Sequence, residues 1–187
     1  LNITGNEITI MAWIYPKTIG TDIIIDNQID GGGAAGDKLQ LNLLSGGDLI
    51  FYINDGGSWE SISVAGTIPT NEWTYVVAML NSSGKHLFKN GQNINSNTET
   101  ATLVTSARNW DIGGDVDGDT YYFDGYIDEV RVWNRSLTAD EIYQLYASNL
   151  KKLDADSWEL YVNQSLNSSN TLTDGNYTYY VYANDNY

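Results

Sequence analysis

The stretch that decides the fold of this chain is FDGYIDEVRVWNRSLTADEIYQLY, residues 123–146. It opens with a turn at Gly125 and continues with β-branched and aromatic residues, which predicts a long strand. Thr138 and Glu141 then have the Thr-x-x-Glu spacing of a capping box, in which each side chain bonds the backbone amide of the other. Apolar residues follow at helical spacing, so we predict one short helix over residues 139–147.

The chain before this stretch is typical of short antiparallel strands. Residues 8–15 are apolar on both faces, which predicts a central strand, and residues 73–80 are equally strand-like. Asn90 and Gly91 both tolerate positive φ and predict a tight hairpin turn. With 42% hydrophobic and 12% aromatic residues, the composition favours an all-β sandwich with a buried core.

Four blocks in this order resemble the laminin G-like, concanavalin A-like jelly-roll family. They are ITIMAWIYP at 8–16, EWTYVVA at 72–78, LFKNG at 87–91, and IGG at 112–114 continuing into FDGYIDEVRVWNR. The resemblance implies an antiparallel jelly-roll β-sandwich with one short C-terminal helix. It specifies the fold and not a ligand, because one fold carries many functions.

The resemblance also raises a question at the start of the chain, because family members usually begin with a further strand ahead of the first block. Here only residues 1–7 precede it. Either that strand is missing from this sequence, or the tail of the chain or another chain completes the sheet near Ile8 by strand addition.

We assign residues 1–150 to the sandwich and residues 151–187 to a β-rich tail. In the tail, residues 158–162 and 177–182 are predicted strands. About 35 residues with two or three strands do not bury an independent core. Two alternatives follow: the tail opens an immunoglobulin-like module, or its strands dock on the sandwich.

Charge and composition exclude several classes of partner. With 9 Lys+Arg against 24 Asp+Glu, the net charge of −15 disfavours nucleic acid. No run approaches the ~20 apolar residues of a membrane helix, so membrane insertion is not predicted. The absence of Cys excludes disulfides and thiolate metal sites. We expect an extracellular or cell-surface location from six glycosylation sequons, at Asn2, Asn81, Asn134, Asn163, Asn167 and Asn176.

The sequence offers few candidate catalytic residues. The same sandwich hosts glucanases, and retaining glycosidases need two carboxylates about 5 Å apart. Strict alternation along the predicted strand places Asp128 and Glu129 on opposite faces, so the pair does not act jointly. His86, the one histidine, follows a predicted turn and is expected to be a solvated loop residue. We therefore predict no catalytic residues and no enzyme activity.

Calcium is the one cofactor that the sequence suggests. Asp115, Asp117 and Asp119 alternate in a glycine-containing loop, which is either a calcium-binding loop or a solvated acidic loop. The family resemblance implies that Asp128 ligates a structural calcium. The alternative for Asp128 is a bond to Arg131 or to nearby backbone amides.

A sugar-binding face needs exposed aromatic rings and polar side chains. We assign Trp13, Trp73 and Trp133 to core packing. The predicted ligand-binding residues lie instead at strand ends or in loops: Tyr52, Asn54, Asp55, Trp59, Trp110, Tyr121 and Tyr122.

These features predict a non-catalytic binding module of a larger secreted or cell-surface protein, whose ligand is a glycan or a protein surface. The alternative is a structural or adhesive subunit of a surface array or filament, assembled with neighbouring domains or copies of itself by strand addition. A glycoside hydrolase is the least favoured of the three.

Overall fold

The computed structural model describes residues 3, 5–27, 38–54, 59–103, 110–114, 121–152 and 158–162. For residues 38, 59, 148–152 and 158–162 it describes the backbone alone. Predictions that fall on other residues, among them the strand at 177–182, lie outside the described residues.

Twelve strands and one helix are formed by the described residues. In chain order they are β1 (Ile8–Pro16), β2 (Asp22–Asp26), β3 (Lys38–Leu44), β4 (Asp48–Asn54), β5 (Trp59–Val64), β6 (Thr74–Asn81), β7 (Gly84–Lys89), β8 (Gln92–Ser96), β9 (Asp111–Ile112), β10 (Gly125–Trp133), α1 (Ala139–Ala147), β11 (Ser148–Lys152) and β12 (Trp158–Val162).

Two five-stranded antiparallel sheets form the sandwich. One has the order β10-β1-β6-β7-β8 and will be called the front sheet, and the other has the order β5-β4-β3-β2-β9 and will be called the back sheet. Non-consecutive neighbours such as β10, β1 and β6 show that the chain crosses between the sheets, as in a jelly roll. The predicted hairpin is confirmed, with φ of 50° at Asn90 and 77° at Gly91.

The main core lies between the sheets, where inward residues of facing strands interdigitate. From β1 these are Ile8, Ile10, Ala12 and Ile14, all buried. The back sheet contributes Leu39, Leu41, Leu43, Leu49, Phe51 and Ile53. Full burial of each large aliphatic or aromatic side chain stabilises the fold by about 1.5–3 kcal/mol.

A second apolar cluster lies on the outer face of the front sheet, beneath α1. Met11, Tyr75 and Val77 project outward from β1 and β6, and Ile142 of α1 is fully buried against them. The helix bounds agree with the prediction, because the capping box and the apolar spacing are both local signals.

The capping box at the start of α1 forms as predicted. Glu141 N donates to Thr138 Oγ1 at 3.2 Å, and Thr138 N donates to Glu141 Oε2 at 2.8 Å. Arg135 adds an ion pair, with Nη2 2.8 Å from Glu141 Oε1. The hydrogen bond from Arg135, and next that from the Thr138 amide, lower the pKa of Glu141 from 4.5 to about 2.

This cap makes a pH-dependent contribution to stability. Because the pKa of Glu141 falls on folding, its contribution is complete above about pH 4.5 and is lost as the pH falls towards 2. We expect Glu141→Gln to lower the thermal midpoint at pH 6, and the difference from wild type to shrink below pH 3. Thermal melts followed by circular dichroism measure this difference in midpoint, with Asp140→Asn in the same helix as the control. A difference that is constant from pH 6 to pH 2.5 would contradict the prediction.

The sheet near Ile8 needs no added strand, which corrects the proposed strand addition there. β1 is paired along its length with β6 on one side and with β10 on the other. Ahead of it, Gly5 forms an isolated bridge with Leu103. The described tail strand β12 pairs with β11 and not with the sandwich sheets.

The described part of the tail forms a two-stranded antiparallel ladder, with Leu150 opposite Leu160. The predicted strand at 158–162 is confirmed, and β11 crosses the predicted boundary at residue 150. Within the described residues, no helix has the length and apolarity that a membrane span requires.

Charged residues also bridge the two sheets. Lys85 of β7 is fully buried, and its Nζ lies 2.8 Å from Glu60 Oε2 and 3.1 Å from Glu99 Oε2. Glu60 belongs to β5, so this interaction joins the front sheet to the back sheet. Next to it, His86 was expected in a solvated loop, but it lies in β7 opposite Met79, where burial lowers its pKa.

Candidate binding site

The outer face of the front sheet is only partly covered by α1. Near the helix, Trp13 packs against Tyr75 and Tyr146, with ring centroids 5.2 and 5.7 Å away. Further along the same face, Trp73 and Tyr126 are 43% and 54% exposed. An aromatic surface therefore continues from beneath the helix into solvent.

We call Trp13, Tyr15, Trp73 and Tyr126 the aromatic patch. Tyr15 lies between two of the others, with its ring centroid 5.6 Å from that of Trp73 and 5.7 Å from that of Tyr126. The Trp73 and Tyr126 rings are stacked at 6.4 Å, with 30° between their planes. Such contacts hold the rings in fixed relative orientation, so the patch is a preformed surface.

A β-bulge in β10 brings two carboxylates to the patch. Met11 is paired with Arg131 and Trp13 with Asp128, so Glu129 and Val130 together oppose Ala12. Glu129 has a φ of 49°, in the left-handed region that is rare for residues other than glycine. The bulge breaks the alternation of faces along the strand.

The predicted placement of Asp128 and Glu129 on opposite faces is therefore wrong. Both side chains line one open depression of about 380 Å³, together with Trp13 and Trp73. The prediction assumed an unbroken period of two, and the extra residue of the bulge removes that period.

Each carboxylate has a partner within the fold. Asp128 Oδ1 accepts a hydrogen bond of 2.7 Å from Glu129 N, which is the backbone-amide alternative considered for Asp128. Arg131 bonds Glu129 and not Asp128, with Nη2 2.9 Å from Glu129 Oε2. The site thus combines flat aromatic faces with strong hydrogen-bond acceptors.

Tyr75 adds a neutral group beside these charges. It is fully buried, and its hydroxyl donates to Met11 Sδ at 2.8 Å. Burial raises the pKa of Tyr75 to about 12, an effect that Arg131 opposes and Glu129 reinforces. The phenol is therefore uncharged at physiological pH, and the charge at this end of the face comes from the carboxylates and Arg131.

The predicted ligand-binding residues lie elsewhere. Tyr52 and Asn54 are half-buried in β4 of the back sheet, and the backbone of Trp59 is paired with Asn54. The side chain of Trp59 and the whole of Asp55 lie outside the described residues. The structure does not bring Tyr52 and Asn54 to the aromatic patch, which is on the front sheet.

The other predicted aromatic residues lie near β2 and β9, at the edge of the back sheet that is opposite β5. Trp110 is half-buried against the main core. Tyr121 and Tyr122 are 53% and 56% exposed, and the Tyr121 carbonyl accepts a hydrogen bond from Ile23 N. A ligand role for these residues stays a prediction.

The predicted metal and glycosylation sites also stay predictions. Asp115, Asp117 and Asp119 lie outside the described residues, and within the described part no three acidic or histidine side chains are grouped to hold a metal. Of the sequons, Asn134 is exposed after β10, and the Asn81 side-chain oxygen accepts a bond from Ser83 N. Asn2, Asn163, Asn167 and Asn176 are outside the described residues.

Sequence reasoning missed the aromatic patch, because Trp13 and Trp73 were assigned to core packing. For Trp73 this assignment is wrong, since 43% of the residue is exposed. Trp13 and Trp133 are half-buried against the second cluster, as assigned. The available signal was in β1, where Met11, Trp13 and Tyr15 give the outward face as much apolar surface as the inward face.

Comparison with known proteins supports the fold. A family model described as "Concanavalin A-like lectin/glucanases superfamily" matches residues 1–143. Among curated proteins, no match is found.

Similar solved structures include several sugar-binding domains. The CBM40 domain of the Ruminococcus gnavus IT-sialidase bound to α2,3-sialyllactose has a TM-score of 0.64 at 17% identity, covering 76% of this chain and 83% of that chain. Domain 4 of AbnA, a GH43 extracellular arabinanase from Geobacillus stearothermophilus, in complex with arabinotriose, has a TM-score of 0.59 at 18% identity, covering 77% and 68%.

A third is a structure of botulinum neurotoxin type C, a toxin whose cell entry is dependent upon interaction with two ganglioside molecules. It has a TM-score of 0.54 at 17% identity, covering 75% of this chain and 35% of that chain. At these identities the likeness extends to the fold alone, an antiparallel jelly-roll sandwich.

Proposed function

The chain belongs to the concanavalin A-like lectin/glucanase superfamily, and we propose that it is a non-catalytic binding module that holds a glycan on the aromatic patch. The observation that carries this proposal is the exposure of Trp73 beside an open depression lined by Asp128 and Glu129. Solved domains of the same fold that are bound to sialyllactose and arabinotriose support a glycan as the ligand class.

The chemistry of the patch suits a sugar ring. The C–H face of a sugar is apolar and fits the flat face of Trp73, while its hydroxyls donate to carboxylate oxygens. A concave, partly apolar site with a few converging polar groups is the usual form of a small-ligand site. The depression has this form, with two indole rings and two carboxylates.

A non-catalytic role is supported by the engagement of both carboxylates. Glu129 is held by Arg131, and Asp128 by the Glu129 amide. A glycosidase needs one carboxyl group as proton donor and another as nucleophile or base, each poised on the glycosidic bond. A carboxylate that is held by one such contact keeps further lone pairs, which accept hydrogen bonds from ligand hydroxyls.

The proposal is tested by Trp73→Ala. We expect a glycan array to identify oligosaccharides bound by the wild type, and titration calorimetry to show an affinity loss of about tenfold or more in the variant. Aromatic residues at the centre of a binding site commonly contribute at least ~1.4 kcal/mol, which corresponds to tenfold.

The matched control is Ile112→Ala, which removes a 57% exposed apolar side chain from β9 of the back sheet. It should leave the affinity within about twofold of wild type. Thermal melts establish that both variants are folded. Equal affinity of Trp73→Ala and wild type for the same oligosaccharide would overturn the aromatic patch as the site.

A further inference from the structure

We propose that the site selects neutral glycans over those carrying a carboxylate, and that Glu129 sets this selectivity by occupying Arg131. This inference rests on the proposed glycan-binding function and adds the ligand class. It concerns the charge distribution around the depression, which the fold alone does not fix.

The lining of the depression is acidic. Asp128 and Glu129 both contribute carboxylates to it, and Asp128 is exposed in β10. The hydrogen bond that Asp128 accepts comes from a neutral amide, and no salt bridge to Asp128 is formed within the described part of the chain. A sugar carboxylate entering this space would meet like charge, which suppresses binding of the wrong partner.

The guanidinium that could receive a sugar carboxylate already pairs with Glu129, one of the carboxylates of the lining. Arg131 is the group best suited to that task, because its fork of N–H donors matches a carboxylate. Its Nη2 lies 2.9 Å from Glu129 Oε2, and the two side chains are 38% and 24% exposed. Glu129 makes this pairing from within the bulge, where its φ is 49°.

Among the described residues, Lys17 is a second cation near the patch. Its Nζ lies 4.7 Å from the centroid of the Tyr126 ring, where the ring face attracts the charge. An ammonium is a single point charge and does not bind a carboxylate in the bidentate manner of arginine. Lys17 is placed over Tyr126 at the rim and is not among the residues that line the depression.

A neutral oligosaccharide meets no such conflict. Its hydroxyls can donate to the free lone pairs of Asp128, and its apolar face can stack on Trp73. The same carboxylate that repels an anionic sugar is then a strong acceptor for an uncharged one.

The test compares glycans that differ only in a terminal sialic acid, such as lactose and α2,3-sialyllactose, printed as matched pairs on one array. Wild type is expected to bind the neutral members and to give a signal at least about tenfold weaker for their sialylated partners. Glu129→Gln removes the ion pair of Arg131, and we expect it to reduce the ratio of the neutral to the sialylated signal by about tenfold. The double variant Glu129→Gln/Arg131→Ala should lose this gain, since no guanidinium remains.

Asp140→Asn on α1 is the matched control, because it removes one negative charge from an exposed position outside the depression. The role of Glu129 is overturned if Glu129→Gln reduces the neutral-to-sialylated signal ratio no more than Asp140→Asn does. It is also overturned if the double variant binds sialylated glycans as well as Glu129→Gln does. A wild type that prefers the sialylated partners overturns this inference and leaves the proposed function standing. Binding to no glycan at all overturns the proposed function itself.

Discussion

Gly84→Ala is expected to lower the free energy of unfolding by about 3 kcal/mol or more. Gly84 opens β7 with a φ of 132°, a conformation that side chains rarely adopt. A Cβ at this position would also fall on the carbonyl oxygen of Asn97. That backbone is fixed, because Asn97 N donates to Lys85 O at 3.0 Å and Asn97 Oδ1 accepts from Lys85 N at 3.2 Å.

The control variant, Gly46→Ala, separates the cost of backbone strain from the cost of the steric clash between the new Cβ and Asn97. Gly46 has a φ of 93°, but a Cβ there would meet nothing nearer than Asp48 Oδ1 at 3.6 Å. Gly46→Ala should therefore cost only the conformational strain, about 1–2 kcal/mol. Urea denaturation of both variants measures the two losses. Equal losses would show that the approach of residues 84 and 97 is not rigid.

Replacing both Glu60 and Glu99 by glutamine is expected to destabilise the fold by about 3 kcal/mol. The ammonium of Lys85 is fully buried, and these two carboxylates are 2.8 and 3.1 Å from it. Without these two carboxylates, the buried ammonium of Lys85 would have only neutral hydrogen-bond acceptors. Each single replacement should cost less, because the remaining carboxylate still balances the charge and both are partly exposed, at 37% and 55%.

Adding Lys85→Met to the double variant distinguishes charge from packing. Methionine keeps most of the apolar stem and removes the charge, so most of the lost stability should return. Guanidinium unfolding of the double and triple variants provides the measurement. A triple variant as unstable as the double would mean that lost packing, and not an unbalanced buried charge, is the cause.

The sandwich was predictable because its signals are local. Strands apolar on both faces, the Asn90–Gly91 turn and the Thr138–Glu141 capping box each depend on residues close together in the chain. Such signals specify strands, turns and caps whatever the partners are. Antiparallel pairing of short strands then leaves few arrangements other than a sandwich.

The candidate site was not predictable because it depends on pairing between distant segments. The bulge at Glu129 arises from the register of β10 on β1, which lies more than 100 residues earlier in the chain. It brings Glu129 to the same depression as Asp128. The surroundings of Trp73 also depend on distant segments, because its ring packs against Tyr15 and Tyr126. Likewise, the burial of Lys85 follows from its position opposite Glu60 in the other sheet.

The bulge has a consequence for molecules that are crowded together. Within the described residues β10 lies at the edge of the front sheet, with β1 as its one neighbour. An unbroken edge would offer a template on which a second molecule adds its own strand, whereas a kink flanked by charged side chains at Asp128, Glu129 and Arg131 disrupts such a template. The bulged and charged edge therefore disfavours aggregation of neighbouring molecules through this strand.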